Sequence, residues 1–289
     1  GREALIEAGY EVGLYPPSAA QHSKDGTIKF LFHAGDKGYV ETVFIPEVER
    51  VTLCVSCQVG CKMRCAFCMT GRQGFHGHLT AAQILNQIIS LQGYDRPTNI
   101  VFMGQGEPMD NLDAVLRAIH LITSAEGMGW SPHRITVSTV GIGTQPVERF
   151  LSATDCHWSV SLHHSDLLRR ADLMPVQRAH PVEDLIRMLR RHDWSHQRRL
   201  TFEYIVFAGE NDTPRHARAL VSLLRGLHCR VNLIPFHTIP DSPLHGATPQ
   251  QMEWLRDYLT QHGLITTIRT SRGEDIMAAC GLLSTAQGD

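Results

Sequence analysis

Val51-Thr-Leu-Cys54-Val-Ser-Cys57-Gln-Val-Gly-Cys61-Lys-Met-Arg-Cys65-Ala-Phe-Cys68 is the stretch from which the fold is read. A short run of strand formers, Val51–Val55, feeds directly into a loop whose cysteines are spaced C-x3-C-x2-C. Three thiolates on one loop can hold three corners of an iron–sulfur cubane and leave the fourth iron without a protein ligand. Zinc sites prefer paired Cys-x2-Cys or Cys/His sets that close all four positions. The wider first gap and the missing local fourth ligand speak against zinc, although Cys57 keeps a zinc or closed-cluster reading open.

Outward from this stretch, short apolar runs alternate with helical patterns. The spacing predicts strands over Asn99–Met103, Arg134–Ser138, Trp158–Leu162, Leu200–Val206 and Arg230–Ile234, with a further run over Leu264–Arg269. Helix starts lie between them. Thr80 with Gln83 reads as a capping box, and Thr213-Pro214 and Thr248-Pro249 each read as an N-cap followed by proline. Repeated β-α units with apolar strands predict a parallel α/β sheet that closes, fully or in part, into a barrel. In such barrels chemistry sits at the C-terminal ends of the strands. The polar residues expected there are Cys61 to Cys68, Gly106-Glu107, Ser138 and His163. Upstream, Thr27–Phe32, a Gly35–Gly38 turn and Tyr39–Ile45 predict a β-hairpin. Residues 1–50 therefore read as an N-terminal extension and 51–289 as the core.

The net charge of -2 argues against broad non-specific attraction to nucleic acid. Basic clusters at Arg169 and Arg170, Arg187 to Arg191, and Arg198 with Arg199 read as solvated helix faces. No apolar run is long enough to span a membrane and no export signal opens the chain, so a cytoplasmic protein is expected. Of 8 cysteines, those from Cys54 to Cys68 crowd one segment, which in a reducing compartment signals metal or catalysis. Cys156 and Cys229 lie in apolar runs and read as core. Taken alone, Cys54 and Cys280 would also read as core, Glu41 as a hairpin surface charge and His163 as a satisfied polar residue.

The cysteine loop, with Phe67 before its last cysteine, resembles the radical S-adenosylmethionine (SAM) superfamily. Further strings resemble the RlmN/Cfr family of RNA methyltransferases, nearest its RlmN branch. They include Asp25-Gly-Thr-Ile-Lys29, Val40-Glu-Thr-Val43, Gly104-Gln-Gly-Glu-Pro108, Ser161-Leu-His163, Asn232-Leu-Ile-Pro235, and Arg272-Gly-Glu-Asp-Ile276 through Ala279-Cys-Gly281. The resemblance implies a partial (β/α)6 TIM-like barrel with an N-terminal β-hairpin extension. It implies a 4Fe-4S cluster on Cys61, Cys65 and Cys68 and SAM on the open iron. Gly106 and Glu107 match the segment that holds the SAM amino group, and Ser138, Ser161, Leu162 and His163 match other SAM contacts. His237 stands where the family usually has Asn, and Cys57 where it usually has Ser.

The same resemblance implies the reaction. One SAM methylates Cys280. A second yields a 5′-deoxyadenosyl radical that takes hydrogen from this S-methyl group. The carbon radical adds to adenine, and Glu41 removes the proton at the attacked carbon. Cys54 then attacks the Cys280 sulfur and releases methylated RNA as a disulfide forms. Adenine C2 is not nucleophilic, so cofactor-derived radical chemistry meets the need. The two cysteines must come together at disulfide geometry. The implied partners are 23S rRNA, tRNA and a low-potential donor such as flavodoxin or ferredoxin. Gly106-Glu107-Pro108 favours C2 over the C8 position of Cfr-type enzymes. From another class, a non-catalytic iron–sulfur or zinc RNA-binding module would show a closed coordination shell.

Overall fold

The computed structural model describes residues 2–8, 13–91, 93–194 and 199–285. After a short α1 (Arg2–Glu7), the strand formers before residue 50 fold into β1 (Ala19–His22), β2 (Ile28–His33) and β3 (Tyr39–Pro46), paired antiparallel. β3 also pairs antiparallel with β4 (Val51–Cys54), so the hairpin and the core share one sheet. β5 (Gln58–Gly60) and β6 (Phe75–His78) form a separate ribbon flanking the cysteine loop and α2 (Met69–Gln73).

The parallel run follows: β7 (Asn99–Phe102), β8 (Ile135–Thr139), β9 (His157–Ser161), β10 (Leu200–Val206), β11 (Arg230–Pro235) and β12 (Ile265–Ile268). The sheet order is β1-β2-β3-β4-β7-β8-β9-β10-β11-β12, parallel from β4 onward. Each predicted strand is present, with ends shifted by a residue or two where the chain turns into its loop. The connecting helices are α3 (Ala81–Ile89), α4 (Leu112–Thr123), α5 (Thr144–Ala153), α6 (Leu167–Leu173), α7 (Val176–Ala179), α8 (Val182–Leu189), α9 (Pro214–Leu224) and α10 (Pro249–Gln261).

Side chains alternate across a strand, and here the two faces differ in chemistry. Outward residues such as Leu53, Ile100, Val137, Trp158, Phe202 and Leu233 are buried in one core with Ile84, Val115, Phe150, Leu185, Leu220 and Leu255 from the helices. The inward set is polar, and Thr52, Asn99, Thr136, Thr201, Glu203, Asn232, Thr267 and Arg269 line a cavity of ≈ 900 Å³. Parallel strands are usually apolar on both faces. A polar inner face therefore marks a working cavity inside a partial barrel, where β12 pairs only with β11 among the described residues.

Local signals hold in part. Thr80 and Thr248 form capping boxes with Gln83 and Gln251, whereas the Thr213 side chain caps nothing and Pro214 alone starts α9. One expectation is corrected: Arg170 is fully buried, not solvated. Glu41, which taken alone would read as a surface charge, is buried. Arg198 lies outside the described residues.

Candidate active site

The Cys61–Cys68 loop follows β5 and is pinned at several points. Cys61 N–H donates to Gly74 O (2.8 Å), Ala66 N–H to Leu173 O (2.9 Å), and a tight turn joins Cys68 N–H to Cys65 O (3.1 Å). Arg64 takes a left-handed conformation (φ 53°) to make the bend. Gly60 is forced, since a Cβ there would lie 1.8 Å from Gly74 O.

All three thiols are free and close enough to oppose one another's ionisation. Burial pushes Cys61 up to about 12 and raises Cys65 and Cys68 as well. A metal centre offsets that cost, because it binds the thiolate forms. Among the described residues no three His, Cys, Asp or Glu side chains are grouped to hold a single ion. Thiolates on separate irons of a cubane stand farther apart than those on one zinc, so this donor set fits a cluster. Cys57 is buried in the main core behind the loop.

Around the loop stand the ends of β7, β8 and β9. Gly106 (φ 102°) packs so tightly that a Cβ would lie 2.6 Å from Gln58 Cβ. Glu107 is buried, and its carboxylate accepts from Met109 N–H (3.0 Å), Thr139 Oγ1 (2.7 Å) and Val140 N–H (2.8 Å). Burial outweighs these donors and lifts Glu107 to about 7. A carboxylate offers about four acceptor positions, so Glu107 keeps room for a further donor.

Ser138 sits on β8 beside Ser159 of β9, and Ser161 ends β9. His163 is left-handed (φ 56°), and its Nδ1 accepts from Ile205 N–H (3.0 Å). Burial lowers it to about 3, so the ring is neutral. Phe67 meets it edge-on at 4.9 Å, which joins the cysteine loop to the end of β9.

Arg170 was missed by sequence reading. Its guanidinium donates to Leu162 O (3.0 Å), Val140 O (3.0 Å), Ser161 O (2.9 Å) and Gln177. It thus ties the ends of β8 and β9 together from below. Burial lowers it to about 10, so it stays charged at neutral pH. Gln105 was missed too: its Oε1 accepts from Glu41 N–H (3.1 Å), while its buried Nε2 has no hydrogen-bond partner.

The C-terminal loop brings Cys280 to the cavity mouth. Cys54 and Cys280, far apart in sequence, line the same cavity, and Cys280 opposes ionisation of Cys54 and Cys68. The loop is tied from two sides. Gly273 N–H donates to Asp25 Oδ2 (2.9 Å), Ser23 Oγ to Asp275 Oδ1 (2.5 Å) and Ser284 N–H to Glu41 Oε2 (2.7 Å). From α2, Met69 N–H donates to Gly281 O (2.8 Å) and Thr70 Oγ1 to Leu283 O (2.7 Å). Glu41 Oε1 also pairs with Lys29 Nζ (2.9 Å). Burial raises Glu41, and Lys29 and the Ser284 N–H pull it back. His237 lines the cavity as well, but both ring nitrogens are engaged, Nε2 with Ser271 Oγ (2.6 Å) and Nδ1 with Glu274 (3.2 Å).

A partial barrel whose first parallel strand leads, through the short β5, into a three-thiol loop defines a radical SAM enzyme, and the radical SAM superfamily profile matches residues 55–220. The probable dual-specificity RNA methyltransferase RlmN of Parabacteroides distasonis is 54% identical over 286 residues, 99% of this chain and 83% of that relative. The dual-specificity RNA methyltransferase RlmN of Syntrophobacter fumaroxidans is 42% identical over 98% of this chain and 84% of that one. The crystal structure of a radical SAM methyltransferase from Sphaerobacter thermophilus superposes with a TM-score of 0.89 at 38% identity, covering 98% of this chain and 84% of that one. The chain belongs to the RlmN family of radical SAM methyltransferases.

Proposed function

We propose that this enzyme methylates adenine C2 in RNA, with 23S rRNA and tRNA as substrates, through Cys280 as methyl carrier and Cys54 as resolving thiol. The observation that carries the reading is the meeting of these two free thiols, one strand-borne and one loop-borne, at the mouth of one polar cavity.

Cys61, Cys65 and Cys68 would hold a 4Fe-4S cluster. Gly106 and Glu107 would take the SAM amino group at the remaining acceptor position of the carboxylate. Ser138, Ser161, Leu162 and His163 would line the rest of SAM, with His237 a weaker candidate because its nitrogens are engaged. When bound, the cluster and SAM supply a 5′-deoxyadenosyl radical able to take a hydrogen atom from a methyl group. Glu41 is the base for the adenine proton: burial raises its affinity for a proton, and Lys29 and Ser284 aim it. Cys54 then closes on the Cys280 sulfur and frees the product. The β2–β3 hairpin and the turn before it would cover the mouth, since they supply Glu41 and tie the Cys280 loop.

The electron donor would be a low-potential flavodoxin or ferredoxin. Among the described residues no helix is long and apolar enough to cross a membrane, and an RNA substrate fits a cytoplasmic setting. The test is nucleoside analysis of RNA digested after incubation with SAM and a low-potential reductant. 2-Methyladenosine is expected. 8-Methyladenosine would overturn the C2 assignment, and unmodified RNA with a fully loaded enzyme would overturn the reading itself.

A further inference from the structure

We infer that Arg269 is the cation that holds the Cys54 sulfur ready to act as a thiolate, and that Glu203 sets how much of that charge reaches it. The inference rests on the reading of Cys54 as resolving thiol. Arg269 directly follows β12, and its N–H extends the ladder to Leu233 O (2.9 Å). Its side chain then crosses the cavity toward the opposite end of the parallel run. Nη1 lies 3.4 Å from Met103 Sδ, and the main-chain N–H of Met103 is the hydrogen-bond donor to the Cys54 sulfur. Arg269, Cys54 and Cys280 line the same cavity.

The surroundings of Cys54 are otherwise poor in charge. The flanking strands β3 and β7 place Val43 and Val101 opposite it. The C-terminal loop contributes Cys280, whose negative form opposes ionisation, and β12 contributes Arg269, which favours it. Burial, with Cys280 beside it, outweighs Arg269 and the Met103 N–H and leaves the thiol raised, at about 12, so without that cation still less thiolate would exist to attack.

Glu203 on β10 is the carboxylate that meets Arg269, but at a long Nη1–Oε2 distance of 3.9 Å. Its Oε1 is turned to Ser159 Oγ (2.6 Å) and Asn232 Nδ2 (3.2 Å), and its buried Oε2 has no hydrogen-bond partner. The guanidinium is therefore only partly neutralised, and the remaining field acts on the two sulfurs.

In the step served, the Cys54 thiolate forms a bond to the Cys280 sulfur as the bond from that sulfur to the RNA-linked methylene carbon breaks. The electron pair passes to that carbon, which takes a proton from solvent and becomes the methyl group. The sulfurs are oxidised to a disulfide and the carbon is reduced. An external dithiol resets the pair before the next turnover.

The experiment follows decay of the covalent protein–RNA adduct on cluster-loaded enzyme, from about pH 6.5 to 9.5, alongside alkylation of Cys54 by iodoacetamide read by peptide mass spectrometry. R269Q should slow both by about tenfold or more, one unit of thiol pKa, with both enzymes' rates still climbing at the top of the range. R269K should recover part of the loss. E203Q should move both profiles the other way, toward lower pH. A wild-type profile for R269Q, or equal slowing by R269Q and E203Q at every pH, overturns the inference. If R269Q does not fold, absence of the downward shift in E203Q overturns it alone. C54A separates the underlying reading: if it accumulates no adduct, the two-thiol route fails whatever Arg269 does.

Discussion

Arg170→Met removes the guanidinium that binds Val140 O, Ser161 O and Leu162 O and replaces it with an apolar chain of similar length. Each buried acceptor left without a partner costs about 1–3 kcal/mol. Against this, removing a buried cation relieves its desolvation. Burial lowers the guanidinium well below the usual arginine range, to about 10, which at 1.36 kcal/mol per unit makes that relief about 3 kcal/mol. The lost acceptors win, and the net destabilisation is about 3 kcal/mol. For a chain of this size that lowers Tm by roughly 5 °C. SAM affinity should fall in parallel, because the loosened strand ends are those proposed to hold it. R170K should recover less than half, since an ammonium cannot fork to several carbonyls at once. Thermal denaturation with and without SAM reads both effects. A Tm within about 2 °C of wild type, with unchanged SAM affinity, would refute the clamp.

Gly106→Ala combines a positive φ with a Cβ placed 2.6 Å from Gln58 Cβ, so it should weaken SAM binding by about tenfold or more, measured by equilibrium titration. Burial raises Glu41, so its protonated form is favoured by folding. That contribution is complete below the ordinary Glu range and is lost as pH rises through the raised value. E41Q should therefore flatten the fall of denaturant midpoint with pH in that window. K29Q should move the acid limb of adduct formation to higher pH, because Lys29 pulls Glu41 down; a limb that stays put counts against Glu41 as base. Burial also pushes Asp25 up, but hydrogen bonds from Gly273, Thr27 and Ser23 prevail and hold it at about 2. D25A should expose the Cys280 loop to proteolysis above the ordinary Asp range, and the difference from wild type should vanish only in strong acid.

Much of the architecture was legible because it is local. Strand alternation, the Thr80 and Thr248 capping boxes and the cysteine spacing each depend on a few adjacent residues, and each is present. The Cys54–Cys280 meeting came from family resemblance, since nothing in the spacing of residues so far apart encodes it. Arg170 was read as solvated because charge runs usually are; its burial depends on carbonyls from two strand ends that converge only in the fold. Glu41 was named only through the family resemblance, and its contact with Ser284, 243 positions away, is not legible in the spacing. The inner-face pair Thr201 and Glu203, alternating with buried Phe202 and Tyr204, was a hint of a polar cavity, and it lies in a run that otherwise reads as a plain apolar strand.

Asp25, Ser23 and Glu41 near the start of the chain bond to Gly273, Asp275 and Ser284 near its finish. For anyone building chimaeras, these two stretches are one module. A crossover placed anywhere between residues 50 and 270 would pair a hairpin from one parent with a thiol loop from another, and leave carboxylates facing amides they were not matched to. Exchanging both stretches together, and leaving the barrel alone, is the recombination this architecture tolerates.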